Sequence, residues 1–205
     1  MKILTSEYTK KWTECDYVVL DLEGTGAQHR DKEGIVDIAG ILVKDGVVTQ
    51  EHFSYLLNPE ISIPPFISRI HGITDRDVQG RPTLAEVKKD IFAFCDRRIL
   101  VSHNAPIERR VLRFRLPEFE PLALLDTLKM SRSAYREEKK HGLDEVIKRL
   151  NLQSFLPCGT GAKRHTAYYD AVATAHAFVV LAEQLIGNAG TLQDILKYSV
   201  SESRQ

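Results

Sequence analysis

The chain has 205 residues, 28 basic and 28 acidic side chains for a formal net charge of zero, and 43% hydrophobic content. That is enough apolar material for one complete core without disulfides, and the neutral balance excludes a global field that would recruit a polyanion by charge alone. Three widely spaced cysteines (Cys15, Cys95, Cys158), with no Cys/His ligand spacing, exclude a disulfide framework and a zinc site.

Residues 17–22 are apolar and β-branched and predict a buried central strand ending in Asp21 and Glu23. Residues two apart on a strand face the same side, so these two carboxylates can converge on one ion. Acidic pairs at the same spacing recur at Glu14/Asp16, Asp31/Glu33, Asp75/Asp77 and Glu118/Glu120, where solvated faces are the better reading. Asp21/Glu23 differs in ending the best strand and in leading into Gly24-Thr25-Gly26, whose glycines let backbone approach a ligand closely.

A polar loop over 24–34 is followed by strands at 35–43 and 47–57, joined by a Lys44-Asp45-Gly46 hairpin. Helical spacing over 83–95 places Cys95 in the core, and 99–101 reads as a fourth strand. The next helix starts near Pro106, with Asn104 as its expected cap. Residues 122–125 form a weaker fifth strand and 142–150 a short helix.

The last helix is the clearest, with Ala171, Ala175, Phe178, Val179, Ala182, Leu185 and Ile186 on one apolar stripe. Thr166 is its natural N-cap, which puts Asp170 in the first turn. Five helical residues turn through about 140°, so His165 is expected in the preceding loop, folding back over the site. Residues 187–205 read as a short tail after a single domain over 1–186.

Carboxylates brought together repel unless protonated or neutralised, and hard oxygen ligands suit Mg²⁺ or Mn²⁺. This is the equipment of metal-assisted phosphodiester hydrolysis. Basic clusters at Arg109-Arg110 with Arg113 and Arg115, at Lys139-Lys140-His141 and at Lys163-Arg164-His165 are either solvated faces or phosphate contacts. No apolar run is long enough to span a bilayer, and no basic stretch leads into an apolar one at the N-terminus. A cytoplasmic setting without a membrane partner is expected.

Taken together, these segments resemble the DEDDh, or DnaQ-like, 3′–5′ exonucleases, the family of the polymerase III proofreading subunit. Asp21-Leu22-Glu23-Gly24-Thr25-Gly26 is similar to its first motif, Asp-x-Glu-x-Thr-Gly. His103-Asn104-Ala105-Pro106-Ile107-Glu108 is similar to the second, usually His-Asn-Ala-x-Phe-Asp, and His165-x-Ala167-x-x-Asp170 to the third. Ile70-His71-Gly72-Ile73-Thr74 and Asp126-Thr127-Leu128 match ancillary stretches.

The resemblance implies a ribonuclease-H-like three-layer α/β/α fold with a mixed five-stranded sheet. It also implies two metal ions, Mg²⁺ or Mn²⁺, held by Asp21, Glu23, Asp170 and Glu108, with Asp21 serving both and His165 as general base. Thr25, Gly26, His71 and Asn104 would then lie near the 3′-terminal nucleotide, Thr25 and Gly26 through backbone groups. His103 is expected to be structural, Asp126 to position a helix start and Asp37 to support the site.

Glu108 departs from the family pattern. It is one methylene longer than the usual aspartate and is expected to act as a displaced outer ligand of the second ion. The implied substrate is a single-stranded or frayed 3′ end of DNA, with RNA as the second choice and association with a polymerase open. The competing reading is a non-catalytic nucleic-acid-binding module that keeps the fold.

Overall fold

The computed structural model describes residues 3–26, 33–158 and 166–200. Five strands form one sheet: β1 (Tyr17–Gly24), β2 (Ile35–Lys44), β3 (Val47–Leu56), β4 (Ile99–Ser102) and β5 (Leu124–Asp126). Their order is β3-β2-β1-β4-β5. The first three are antiparallel neighbours, and β4 and β5 run parallel to β1. The helices are α1 (Pro65–His71), α2 (Asp75–Val78), α3 (Leu84–Cys95), α4 (Pro106–Arg115), α5 (Thr127–Ala134), α6 (Leu143–Arg149), α7 (Ala167–Ile186) and α8 (Leu192–Ile195).

The alternation in β1 divides the interior in two. Tyr17 and Val19 pack with Met130 of α5, Val146 of α6 and much of α7 on one face. Val18, Leu20 and Leu22 pack with Val87 and Ile91 of α3 and with Val111 and Leu112 of α4 on the other. A sheet covered on both faces is the three-layer α/β/α arrangement expected from the resemblance. Asp21 and Glu23 continue the odd-numbered series, which directs them to the α7 side at the end of the strand.

Local chemistry sets the connections. Asp45 and Gly46 both have positive φ, 53° and 71°, as a two-residue hairpin turn matching strand twist requires. Thr166 caps α7, its hydroxyl accepting the Tyr169 amide at 3.4 Å.

One expectation is corrected. Asn104 is not a side-chain cap: Ala105 occupies that position, and Asn104 instead adopts a left-handed backbone with φ of 68°. Asparagine tolerates both settings, which is why the residue type alone did not separate them.

The described part of the segment after 186 packs against the rest of the chain. Leu192 and Ile195 are buried in the α7-side core. The Leu192 amide donates to Lys10 O at 2.8 Å, and the Val200 amide to Leu124 O at 2.8 Å. The Trp12 indole also donates to Gly187 O at 2.9 Å. Two large apolar side chains and these backbone bonds hold the segment in the same fold as the rest. Among the described residues, no helix is long and apolar enough to cross a membrane.

Candidate active site

Strand β1 and helix α7 bring Asp21, Glu23 and Asp170 together. Each offers one carboxylate oxygen, and the three lie within 4.8 Å of one another. The helix start is fixed from two sides. Thr166 caps it, and the Asp37 carboxylate accepts the Ala167 amide at 3.0 Å. Asp37 is the β2 partner of Glu23 in the antiparallel register, so the strand pair that carries Glu23 also seats the helix that carries Asp170.

The electrostatics fit a cation. Burial pushes the Asp21 carboxyl well above its usual range, and Glu108, Asp170, Glu23 and Asp37 push it further. Burial, then Asp170 and Asp37, raise Glu23 to about 8. Burial likewise raises Asp37, against hydrogen bonds from the Ala167 and Ile38 amides. Three hard oxygens whose negative charges oppose one another form a donor set suited to Mg²⁺ or Mn²⁺.

Glu108 stands beside this group but is not one of its three members. It sits in the first turn of α4, 6% exposed, and its Oε2 has no hydrogen-bond partner among the described residues. Burial raises its carboxyl to about 8, with Asp126 and Glu23 adding repulsion and Arg110 opposing it. A buried acceptor oxygen in that setting is suited to a cation or to its bound water.

The second motif is held by Asp126. Its Oδ1 accepts the Leu128 amide at 2.9 Å, capping α5, and the Asn104 amide at 3.0 Å. One carboxylate thus starts a helix and fixes the backbone just before Glu108. His103 Nδ1 lies 2.9 Å from Thr127 Oγ1, and that hydroxyl donates to Ser102 O at 3.3 Å. The short contact ties the His103 ring to the first residue of α5.

Thr25 is 3% exposed. Its hydroxyl accepts the Gly34 amide at 2.9 Å, and its own amide donates to Gly34 O at 3.0 Å. Both groups therefore tie Thr25 to Gly34 across the base of the loop. Gly26 has φ of 86°, and a Cβ there would meet Ile67 Cδ1 at 2.7 Å, so any other residue would be strained. That approach brings α1 against the first motif. His71, the last residue of α1, is 2% exposed, and its Nδ1 accepts the Ile73 amide at 3.0 Å, which places the ring proton on Nε2. A cleft of about 540 Å³ opens beside Asp37, lined by His52, Gly72, Thr166 and Tyr168 among others. His165, with Lys163 and Arg164, lies outside the described residues.

Sequence reasoning missed Glu33. Grouped with Asp31 as a solvated pair, it is in fact 8% exposed, its Oε2 2.5 Å from Arg110 Nη1. Arg115 Nε also donates to the Glu33 carbonyl at 2.5 Å. Two of the four α4 arginines are thus turned onto the protein itself. The available signal was their imbalance: four arginines and one acid on a ten-residue helix call for an acidic partner from elsewhere.

Comparison with known proteins places this geometry. A family model described as exonuclease matches residues 18–178. The DNA polymerase III subunit epsilon of Aquifex aeolicus is 32% identical over 174 residues, covering 82% of this chain and 81% of that protein. The DNA polymerase III subunit epsilon-like protein of Rhodobacter capsulatus is 35% identical over 173 residues, which are 82% of this chain. The chain spans only 24% of that relative and 11–18% of several longer ones. Among solved structures, Exonuclease X in complex with 5′ overhanging duplex DNA superposes with a TM-score of 0.69 at 25% identity, covering 89% of this chain and 98% of that one.

Proposed function

The chain belongs to the DnaQ-like, DEDDh exonuclease family, and on that premise we propose that it is a metal-dependent 3′–5′ exonuclease releasing nucleoside 5′-monophosphates. The observation that carries this reading is the convergence of Asp21, Glu23 and Asp170, whose carboxylate oxygens lie within 4.8 Å of one another. DNA is the preferred substrate class, supported by the DNA named in the Exonuclease X complex and by the polymerase subunits among the relatives. Association with a polymerase belongs to the same proposal.

In this reading Asp21, Glu23 and Asp170 would hold one divalent ion, and Asp21 and Glu108 would serve a second. Such ions, when bound, supply a polarised water and a stabilised leaving 3′-oxygen. His165 would take the proton of the attacking water, a task suited to an imidazole. Asp37 and Thr166 hold Asp170 in place by fixing the start of α7. Asp126 does the same for the turn before Glu108. The Gly26 turn, Thr25, Asn104 and His71 border the 3′-terminal nucleotide.

One observation favours a second reading, a binding module with weakened chemistry: Glu108 is not among the three clustered oxygens. The two are separated by incubating 5′- and 3′-labelled single-stranded DNA, duplex DNA and RNA with Mg²⁺, Mn²⁺ or EDTA. Mononucleotide released first from the 3′ label, and only with metal, is the expected result. Strand binding without release in either metal would establish the second reading.

A further inference from the structure

Glu33 ties the end of β1 to helix α4. Its carboxylate lies over Gly24, so close that a Cβ there would meet Glu33 Oε1 at 2.7 Å. Gly24 directly follows Glu23, at the point where the β1–β2 register shifts. From the same residue, the side chain pairs with Arg110 at 2.5 Å and the carbonyl receives Arg115 Nε at 2.5 Å. The paired side chains are 24% and 9% exposed, so this is not a solvent-screened surface bridge.

Arg110 and Glu108 are two apart on α4 and project about 200° from each other, so the arginine does not orient the glutamate by direct contact. It acts through the helix. Two points of α4 fixed to one residue set the rotation and height of its first turn over the end of β1. Among the described residues the Glu108 Oε2 has no hydrogen-bond partner, and the longer side chain has more rotamers to choose from than aspartate. The placement of the turn therefore decides where its carboxylate lands.

We propose that Arg110, anchored on Glu33, is a positioning residue that sets the place of the Glu108 carboxylate beside the Asp21–Glu23–Asp170 cluster. This rests on the nuclease reading above. Removing one member of a buried pair also leaves a charge without compensation, so the test must separate positioning from general stability.

The experiment compares wild type, R110M, R110K, E33Q and R110M/E33Q, each with and without E108A, in single-turnover and steady-state hydrolysis of DNA with Mg²⁺. R110M is expected to slow the step about tenfold, as a sub-ångström misplacement does, with KM within about twofold. R110K should recover part of the loss, and in the E108A background R110M should cost nothing more. R110M/E33Q should regain thermal stability but not rate.

The proposal is overturned by an equal R110M penalty in the E108A background, by a rise in KM with kcat unchanged, or by full rate in R110M/E33Q. E33Q, which loses only a charge, is read the same way should R110M not fold. Crystal structures of wild type and of R110M or E33Q give an answer independent of turnover. A displaced Glu108 carboxylate is expected, and an unmoved one refutes the idea even if no DNA is cleaved.

Discussion

Asp37 and Ala167, 130 residues apart in the chain, are joined by a 3.0 Å hydrogen bond from the helix amide to the carboxylate. Through it the strand opposite Glu23 dictates where α7 begins, and hence where Asp170 points. Asp37→Ala should therefore lower the cleavage rate about a hundredfold by misplacing Asp170, although it removes no member of the cluster. Asp37→Asn keeps an acceptor and removes a charge that burial disfavours. It should retain most activity and melt no lower than wild type. Rates and melting curves of the two variants check this; equal rates for Asp37→Ala and wild type would show that the helix start holds without the bond.

Asp21→Ala and Asp170→Ala are expected to abolish metal-dependent cleavage, a loss of roughly a thousandfold if ion-based stabilisation of the transition state is removed. Mn²⁺ should raise the melting temperature of the wild type and not of either variant, because an ion that binds only the folded state stabilises it by linkage. Either variant degrading a single strand at the wild-type rate with Mg²⁺ would remove the metal assignment.

Stability without metal should fall as pH rises. Glu23 and Glu108 are raised to about 8 from an ordinary 4.5, so across that window the folded state binds more protons than the unfolded chain. Stability is then greatest below the unfolded value and is lost as pH climbs through the folded value. A bound divalent ion takes the place of those protons. In EDTA the melting temperature should decline from pH 5 to pH 8, with Mn²⁺ the decline should flatten, and Glu23→Gln should flatten it without metal. A metal-free protein whose melting temperature rises over this range would contradict the assignment.

The sheet and the three-carboxylate cluster were legible because local rules and tertiary structure agree there. Alternation in β1 alone sends Asp21 and Glu23 to the α7 side, and the Thr166 cap puts Asp170 in the first turn. What stayed hidden depends on partners distant in sequence. The burial of Glu33 follows from Arg110 and Arg115, some 80 residues on, and no local pattern separates it from a solvated acid. The left-handed backbone of Asn104 is fixed by Asp126, which accepts its amide. Residues 187–200 carry too few apolar side chains to show that Leu192 and Ile195 close the core.

His165→Ala should reduce turnover by about 10²–10⁴-fold, the usual contribution of a general base, while leaving DNA and metal binding intact. The motive is its place in the third motif, immediately before the cap of α7. Pre-steady-state rates and equilibrium binding measured on the same variant separate the two effects. Unchanged turnover would assign proton removal to another group, and weakened binding at normal turnover would make His165 a substrate contact.

Glu108→Asp, the change toward the usual family residue, should preserve activity and increase it with Mg²⁺, whereas Glu108→Gln and Glu108→Ala should impair it. Glu108 is buried in the first turn of α4 next to the acidic cluster, and its Oε2 has no hydrogen-bond partner among the described residues. Its charge pushes the buried Asp21 carboxyl further up, so the two groups share one electrostatic environment. The extra methylene adds a torsion that must be frozen in the productive geometry. Mg²⁺ demands near-ideal octahedral ligation, and Mn²⁺ is expected to tolerate the looser arrangement better. Wild type should consequently prefer Mn²⁺ more strongly than the Asp variant does. Single-turnover rates of all four proteins in each metal test the argument. Equal rates for wild type and Glu108→Gln would make the residue a bystander, because the amide keeps the shape but loses the charge that a cation needs.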